Sequence, residues 1–351
     1  MPALTNQQQH FIAQILQSSA NPQPLNPIHP DGLGSAAVNI ALAKYWGKRD
    51  AELNLPINGS VSIALPGLGT DTKIQLLPDG NEDQVFLNGH QLCGQSAFAR
   101  RVSAFLDGFR IHPQRVFRVD TRNSVPTAAG LASSASGYAA LVLALDALFG
   151  WQLPPSKLSM LARFGSGSAS RSLYNGFAIW HRGEREDGLD SYAEAIDSYW
   201  PAFCVGLVKI DLHEKAVGST AGMQQTVATC DLYQSWPQQA QRDLTTLCQA
   251  IHQQDFSTLG QTAEHNALSM HATMIATWPP ILYWQPESVA AMQLVWQLRA
   301  QGIEVYFTMD AGPNLKLLLQ HKDCNAVAQA FLEKGIPVEF IWPFATQAEK
   351  N

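Results

Sequence analysis

The chain has 351 residues, of which 46% are hydrophobic and 15% charged, with a formal net charge of −6. That length suggests two domains or one large composite one, the apolar content is ample for a core, and the charge is too sparse for a disordered chain. An acidic balance argues against nucleic-acid binding through a broad basic surface, which needs concentrated Lys and Arg. Met1 to Asn21 is Gln-rich and has no basic region ahead of an apolar stretch, so it does not read as a signal peptide. Phe11, Ile12, Ile15 and Leu16 fall on one face of a short helix expected over residues 7–17. Residues 21–30 carry four prolines and read as a linker. Residues 1–34 are therefore expected to form an N-terminal extension that the chemistry can do without.

The main fold is expected to begin near Ser35, with strands at 36–43, 61–65, 73–77 and 85–87. Asn88-Gly89 is a hairpin signal. Helical periodicity follows at 96–108, 134–149 and 156–164. The most apolar part, 139–149, is interrupted by Asp146 and is too short to span a bilayer. After a polar stretch at 181–198 the pattern resets near Tyr199. A strand at 203–210 is followed by helices at 237–254, 256–277 and 287–301, then strands at 304–309, 315–319 and 337–342. Helices and strands mix without regular βαβ repetition, which predicts an α+β fold with domains at 35–198 and 199–351. Cys93, Cys204, Cys230, Cys248 and Cys324 are scattered and form no CxxC pair, which fits reduced thiols in a cytoplasm.

Four segments carry chemistry. Pro126-Thr127-Ala128-Ala129-Gly130-Leu131-Ala132-Ser133-Ser134 leads into an apolar helix. Small residues admit a bulky anion, and free N–H groups at a helix start hold phosphate. No GK[ST] follows the glycine, so this is not a Walker A loop, and the same pattern also suits tight helix-on-sheet packing. Asn39-Ile40-Ala41-Leu42-Ala43-Lys44-Tyr45-Trp46-Gly47-Lys48-Arg49 is an apolar strand ending in three cations, either a site or a strand emerging into solvent. Gly165-Ser166-Gly167-Ser168-Ala169-Ser170-Arg171 places hydroxyls ahead of an Arg that could fork onto a carboxylate or phosphate. By pattern alone a flexible linker with helix-capping serines is the more ordinary explanation. In Tyr306-Phe307-Thr308-Met309-Asp310-Ala311-Gly312-Pro313-Asn314 a carboxylate ends an apolar strand, where a turn Asp is the ordinary explanation. His265 and His271 are not spaced as metal ligands on one helix face. Cys204, in an apolar strand, reads as core.

Taken in order, NIALAKYWGKRD, LPINGSVSIAL, SVPTAAGLASSASGYAAL, GSGSASRSLYNGF, EKAVGSTAGM, AEHNALSMHATM and YFTMDAGPN closely resemble the mevalonate diphosphate decarboxylases of the GHMP kinase superfamily. The resemblance spans roughly residues 38–318. It implies an N-terminal domain like ribosomal protein S5 domain 2, a ferredoxin-like C-terminal domain and an active site between them. It further implies ATP with Mg²⁺, the substrate mevalonate 5-diphosphate, a cytoplasmic homodimer, and no nucleic-acid or membrane partner.

Roles transfer by position. Asp310 would sit beside the C3 hydroxyl as base or orienting anion, with Lys44 paired to it. Arg171 and Asn39 would hold the substrate carboxylate, and Tyr45, Lys48, Ser166 and Ser168 the rest of the substrate. Thr121, Gly130, Ala132, Ser133 and Ser134 would face the nucleotide, with Ser133 toward the metal. Lys215 and Ser219 would belong to a segment closing over the phosphates. Three features depart from the family: residues 1–34 precede its usual start, Asn58-Gly59 replaces a more usual polar pair, and Thr220 stands where many bacterial members have Arg. Competing expectations are a phosphomevalonate decarboxylase, a mevalonate 3-kinase, and a non-catalytic ligand-binding paralogue.

Overall fold

The computed structural model describes residues 4–78, 80–112, 114–124, 133–211, 213 and 215–344, with the side chain of Ser133 outside that description. In chain order the elements are α1 (Asn6–Leu16), β1 (Gly32–Ala43), β2 (Lys48–Asp50), β3 (Leu55–Pro56), β4 (Ser60–Leu77), β5 (Gln84–Leu87), β6 (His90–Gln91), α2 (Ala97–Leu106), β7 (Val116–Asn123), α3 (Ser133–Phe149), α4 (Pro155–Gly165), β8 (Phe177–Trp180) and β9 (Ala193–Ala195). A second run follows: β10 (Phe203–Val208), α5 (Ser219–Thr229), α6 (Trp236–Gln253), α7 (Phe256–Ile275), α8 (Pro286–Ala300), β11 (Val305–Met309), β12 (Leu315–Gln320), α9 (Cys324–Leu332) and β13 (Val338–Ile341). The first run builds a seven-stranded sheet around β4, and the second builds an antiparallel sheet in the order β11-β12-β10-β13. This is a two-domain α+β architecture.

Two expected strands, 61–65 and 73–77, are one continuous strand, β4. It stays intact because the β1–β4 ladder shifts register between Ala37 and Val38, opposite Gly67, which has φ +85. A Cβ on Gly69 would stand 2.3 Å from the Ala36 carbonyl oxygen, so a small residue is needed where the strands bend together. Asn88 and Gly89 both have positive φ, at 52 and 85, and join β5 to β6 as the hairpin signal predicts.

On one side of the first sheet α3 lies directly on β1. A Cβ on Gly34 would meet the Ala140 carbonyl oxygen at 2.2 Å, so only glycine allows the contact. On the other side the apolar faces of β1 and β4 bury Val38, Ile40, Val61 and Ile63 against α6, α7 and one face of the second sheet. The opposite face of the second sheet packs on α8 and α9. Helices α6 and α7 thus hold the ends of β1 and β11 together, and that is where the site forms.

The picture of residues 1–34 as an appendage on a linker does not hold. Phe11, Ile12, Ile15 and Leu16 are buried in the same core as α2, α3 and α4. Asn21 in the Pro-rich stretch donates to the carbonyls of Asn26 and Phe149, at 2.9 and 2.8 Å, and β1 itself starts at Gly32. Among the described residues no helix is long and apolar enough to cross a membrane.

Candidate active site

Strand β1 carries an apolar run to Ala43 and delivers Lys44 into the junction between the sheets. Here the β1–β4 ladder shifts register again, between Ala41 and Ala43. The Ala41 carbonyl accepts from Lys44 Nζ at 2.8 Å and from Thr308 Oγ1 at 3.3 Å. The backbone of Lys44 is pinned on both sides. Its N–H donates to Asn266 Oδ1 on α7 at 2.7 Å, and its carbonyl accepts from Asn58 Nδ2 at 2.8 Å. Asn58, noted as a departure from the family, is therefore a brace for Lys44.

Asp310 lies one residue past β11. Its Oδ1 is 2.8 Å from Lys44 Nζ and its Oδ2 is 3.3 Å from Lys316 Nζ. Lys316 escaped the sequence reading. It stands opposite Thr308 in the β11–β12 ladder, so the two-residue period of the strands turns both toward the end of β1. Both lysine side chains are 2% exposed, whereas that of Asp310 is 28% exposed. The carboxylate is the part of the trio that a small molecule can reach.

The electrostatics follow from this burial. Burial lowers the Lys44 ammonium to about 8, against the opposing pull of Asp310. Burial alone would raise the Asp310 carboxyl, but the two lysines outweigh it and hold it well below the usual carboxylate range. His271, on α7, hydrogen-bonds through Nε2 to the Asp310 carbonyl at 3.1 Å. That carbonyl can only accept, so Nε2 carries the proton. Burial and then the Lys44 charge lower His271 to about 3, which leaves a neutral imidazole fixing the backbone of the turn after β11.

Arg171 ends the 3₁₀ turn Gly167–Arg171 that follows α4. Its guanidinium is buried, donating to Ser60 Oγ and, at 3.2 Å, to Asn39 Oδ1. Asn39 Nδ2 in turn donates to Ser172 Oγ at 2.7 Å and to the Ser168 carbonyl at 3.1 Å. The Arg171 Nε–H is buried with no partner among the described residues. A buried cationic donor left unpaired is costly and suits an incoming anion. Burial lowers Arg171 to about 10, opposed by the charge of Asp310 and the presence of Tyr45.

Tyr45 is half-buried edge-on to Trp180, with ring centroids 4.9 Å apart, and its hydroxyl is buried without a partner among the described residues. Gly167 is required beside it, since a Cβ there would approach Tyr45 Cε1 to 2.9 Å. Hydroxyls gather next to this turn. Ser166 Oγ is 3.5 Å from both Ser134 Oγ, in the first turn of α3, and Ser168 Oγ. Three hydroxyls converging at a helix start form a donor set that fits a phosphate chain and a hard divalent cation.

Gly130 and Ala132 lie outside the described residues, as does the side chain of Ser133 expected to face the metal. Lys215 Nζ donates to Ser219 Oγ at 2.8 Å and to the Ala311 carbonyl at 2.9 Å, which anchors its segment beside Asp310. Lys48 Nζ donates to Asn54 Oδ1 at 2.6 Å, and burial lowers its pKa. Thr121 stands apart in the first sheet, with its hydroxyl 3.1 Å from that of Thr72. The structure thus gathers Asp310, Lys44, Arg171, Asn39, Tyr45, Ser134, Ser166, Ser168, Lys215 and Ser219 along one continuous junction, and adds Ser60, Asn266, His271 and Lys316.

Residues 36–193 match the family model of the diphosphomevalonate decarboxylase-like N-terminal domain, and residues 207–349 that of the mevalonate 5-diphosphate decarboxylase C-terminal domain. The chain is 40% identical over 318 residues to the diphosphomevalonate decarboxylase of Aspergillus fumigatus, covering 84% of this chain and 78% of that one. With the Bos taurus enzyme of the same name it shares 40% identity over 300 residues, covering 80% and 74%. Among solved structures, one described as MDDEF in complex with MVAPP, AMPPCP and magnesium superposes with TM-score 0.83 at 40% identity, covering 89% of this chain and 96% of that one. Mevalonate diphosphate decarboxylase from Staphylococcus aureus superposes with TM-score 0.81 at 38% identity, covering 89% and 98%. With both domain models matched in order on a chain that carries the Lys44–Asp310–Lys316 trio, this protein belongs to the mevalonate diphosphate decarboxylase family of the GHMP kinase superfamily.

Proposed function

We propose that this protein catalyses the ATP-dependent decarboxylation of mevalonate 5-diphosphate to isopentenyl diphosphate, releasing ADP, phosphate and CO₂. The observation that carries this reading is the partly open Asp310 carboxylate, clamped between two buried ammonium groups and facing the buried Arg171 fork. A tertiary hydroxyl is a poor leaving group, so its oxygen first takes the γ-phosphoryl of ATP as the bond to ADP breaks with its electron pair on ADP, and the hydroxyl proton is released to solvent. The C–O bond then breaks with its electron pair on the departing phosphate, and the pair of the C–CO₂⁻ bond becomes the double bond as CO₂ leaves.

Each residue has a part. A carboxyl held as low as Asp310 is a weak base, so it acts chiefly through charge, orienting the hydroxyl and favouring positive charge at C3 as phosphate departs. Lys44, and Lys215 beside it, offset the negative charge of the transferred phosphoryl. The Arg171 Nε–H, on a guanidinium positioned by Asn39, holds the substrate carboxylate so that the C–CO₂⁻ bond lines up with the leaving phosphate. Tyr45, Lys48, Ser166 and Ser168 line the remainder of the substrate, its diphosphate end toward Lys48. Ser134 and Ser219 serve the nucleotide side, with Gly130, Ala132 and Ser133, while Thr121, which stands apart, is given no part. Mg²⁺, held through the hydroxyl cluster, would supply charge neutralisation to the phosphate chain.

The boundary between the two domains is drawn between residues 198 and 199, just ahead of β10. Five free cysteines support a reducing, cytoplasmic setting, and a homodimer is the assembly we expect. The test is to supply ATP, Mg²⁺ and either mevalonate 5-diphosphate or its monophosphate, and to measure ADP and CO₂. Equal release of both from the diphosphate is expected. A stable 3-phosphorylated acid without CO₂ would make the protein a kinase, and preference for the monophosphate would point to the Thr220 position.

A further inference from the structure

The matched family region starts at residue 36, yet the first turn of α1, well ahead of it, touches the hairpin that carries Lys48. Thr5, the N-cap of α1, donates its hydroxyl to Glu52 Oε2 at 2.7 Å, and Gln8 Nε2 donates to the Glu52 carbonyl at 3.0 Å. Glu52 lies in the turn between β2, which begins with Lys48, and β3. The same turn is gripped from the other side. Asn54 Nδ2 donates to the carbonyls of Arg163 and Phe164 at 3.2 and 2.8 Å, and Arg163 Nε donates to the Leu53 carbonyl at 3.1 Å. Asn54 Oδ1 is also the acceptor for Lys48 Nζ.

Helix α1 reaches this second grip as well. The Phe11 ring lies under the Arg163 guanidinium, 4.9 Å from Cζ to the ring centroid, and 6.4 Å from the Phe164 ring. Arg163 is fully buried and its guanidinium bonds only to carbonyls among the described residues, donating to Gly188 at 2.8 Å and to Ser191 besides Leu53. A buried cation without a carboxylate depends on such packing and on an aromatic face. Arg163 stands three residues before Ser166, so α1 buttresses both the Lys48 hairpin and the entry to the serine turn.

We propose that α1 is a positioning strap for the substrate's phosphorylated end, acting through Glu52 and Asn54 to set where the Lys48 ammonium stands. This rests on the reading of Lys48 given under the proposed function. The polar contacts of the strap end on Glu52 and reach neither Asp310 nor Ser134, so these contacts govern substrate affinity and leave ATP affinity and turnover alone.

The experiment compares the full-length protein with Thr5→Ala/Gln8→Ala, which cuts both bonds to Glu52, with Glu52→Ala, which removes the side-chain acceptor but leaves the α1 cap intact, and with Thr5→Ser, which retains the hydroxyl. Expected is a rise of about tenfold in KM for mevalonate 5-diphosphate in the first two, with kcat and the KM for ATP within about twofold and Thr5→Ser like wild type. An unchanged KM in Glu52→Ala overturns the strap, and so does an equal loss in all three constants, which marks a merely structural helix. Should wild type not turn over mevalonate 5-diphosphate at all, the functional reading fails instead. The strap is then judged by titrating inorganic pyrophosphate into the same proteins: weaker binding in the first two variants sustains it and equal binding overturns it.

Discussion

Lys44 and Asp310 are 266 residues apart in the chain and 2.8 Å apart in the structure. Burial lowers the Lys44 ammonium to about 8 from an ordinary 10.5. Arg171, Lys215, Lys316 and neutral His271 are the other groups around the pair. If the charge on Lys44 serves the phosphoryl transfer, kcat falls as pH rises through about 8. Stability responds in the opposite sense. Between about 8 and 10.5 the unfolded chain holds the Lys44 proton and the folded one does not, so this group's contribution to stability rises with pH over that window and is lost as pH falls back through 8. A pH–rate profile beside thermal melts checks this. Activity and melting temperature falling together above pH 8 would assign the limb to unfolding, whereas Lys44→Arg should move the activity limb upward.

Asp310→Asn is expected to lose roughly 10²–10⁴-fold in kcat, the range for a positioned acid–base or charged group. The variant should still fold, because Lys44 is already close to shedding its proton and need not remain a buried unpaired cation. Steady-state kinetics on protein with a wild-type circular dichroism spectrum decides it. Near wild-type turnover would remove Asp310 from the chemistry.

Lys316→Met keeps the volume and apolar stem but removes one of the two charges on Asp310. The carboxyl then rises toward its ordinary range, and turnover should drop by about tenfold or more at neutral pH, with the acid limb of the rate profile moved upward. A profile superposable on wild type would make Lys316 a bystander.

Gly34→Ala tests how the first sheet presents the hydroxyl cluster. The added Cβ would stand 2.2 Å from the Ala140 carbonyl oxygen of α3, which backbone cannot easily relieve. Overpacking of this kind costs about 1–3 kcal/mol. A lower melting temperature is expected, with a raised KM for ATP because α3 carries Ser134. Unaltered stability would mean that α3 can slide on β1.

Much of this was legible locally. The strand ends at Lys44 and Asp310, the serine turn before Arg171 and the order of helices all show as breaks in apolar periodicity. What could not be read locally was who meets whom. Lys316 sits in Leu315–Gln320, where a lone lysine inside an apolar strand was the available signal. Its meaning depends on which face β12 turns toward β1. Asn266 looked like one more polar residue on a long helix until α7 brought it to the backbone of Lys44. Strand β7 went unrecognised because Arg118, Asp120 and Arg122 alternate outward and give the segment the look of a loop, while Phe117, Val119 and Thr121 face the interior. The face of α1 was visible in its periodicity, but its burial place lies about 90 residues or more downstream, beyond any local pattern.

If Arg171 holds the substrate carboxylate as proposed, it decides whether phosphorylation and decarboxylation stay coupled. Its Nη atoms each donate once, to Ser60 and to Asn39, and Nε is the guanidinium nitrogen without a partner among the described residues. Arg171→Gln removes the fork while leaving Ser134, Ser166 and the nucleotide side in place. It also strips partners from Ser60 and from Asn39 Oδ1, and a loss of about 1–3 kcal/mol in stability is expected for each buried polar atom left unpaired. Wild type should release ADP, phosphate and CO₂ in equal amounts. The variant should bind mevalonate 5-diphosphate more weakly and turn over more slowly, with little change in affinity for an ATP analogue. If the carboxylate then swings free of alignment, some turnovers stop at the 3-phosphorylated acid, and the ratio of CO₂ to ADP drops below one. Parallel ADP and CO₂ assays on both proteins, with analogue binding as the control, measure that ratio directly. A variant that loses nucleotide binding as severely as substrate binding would show that Arg171 organises the whole junction and not the carboxylate alone.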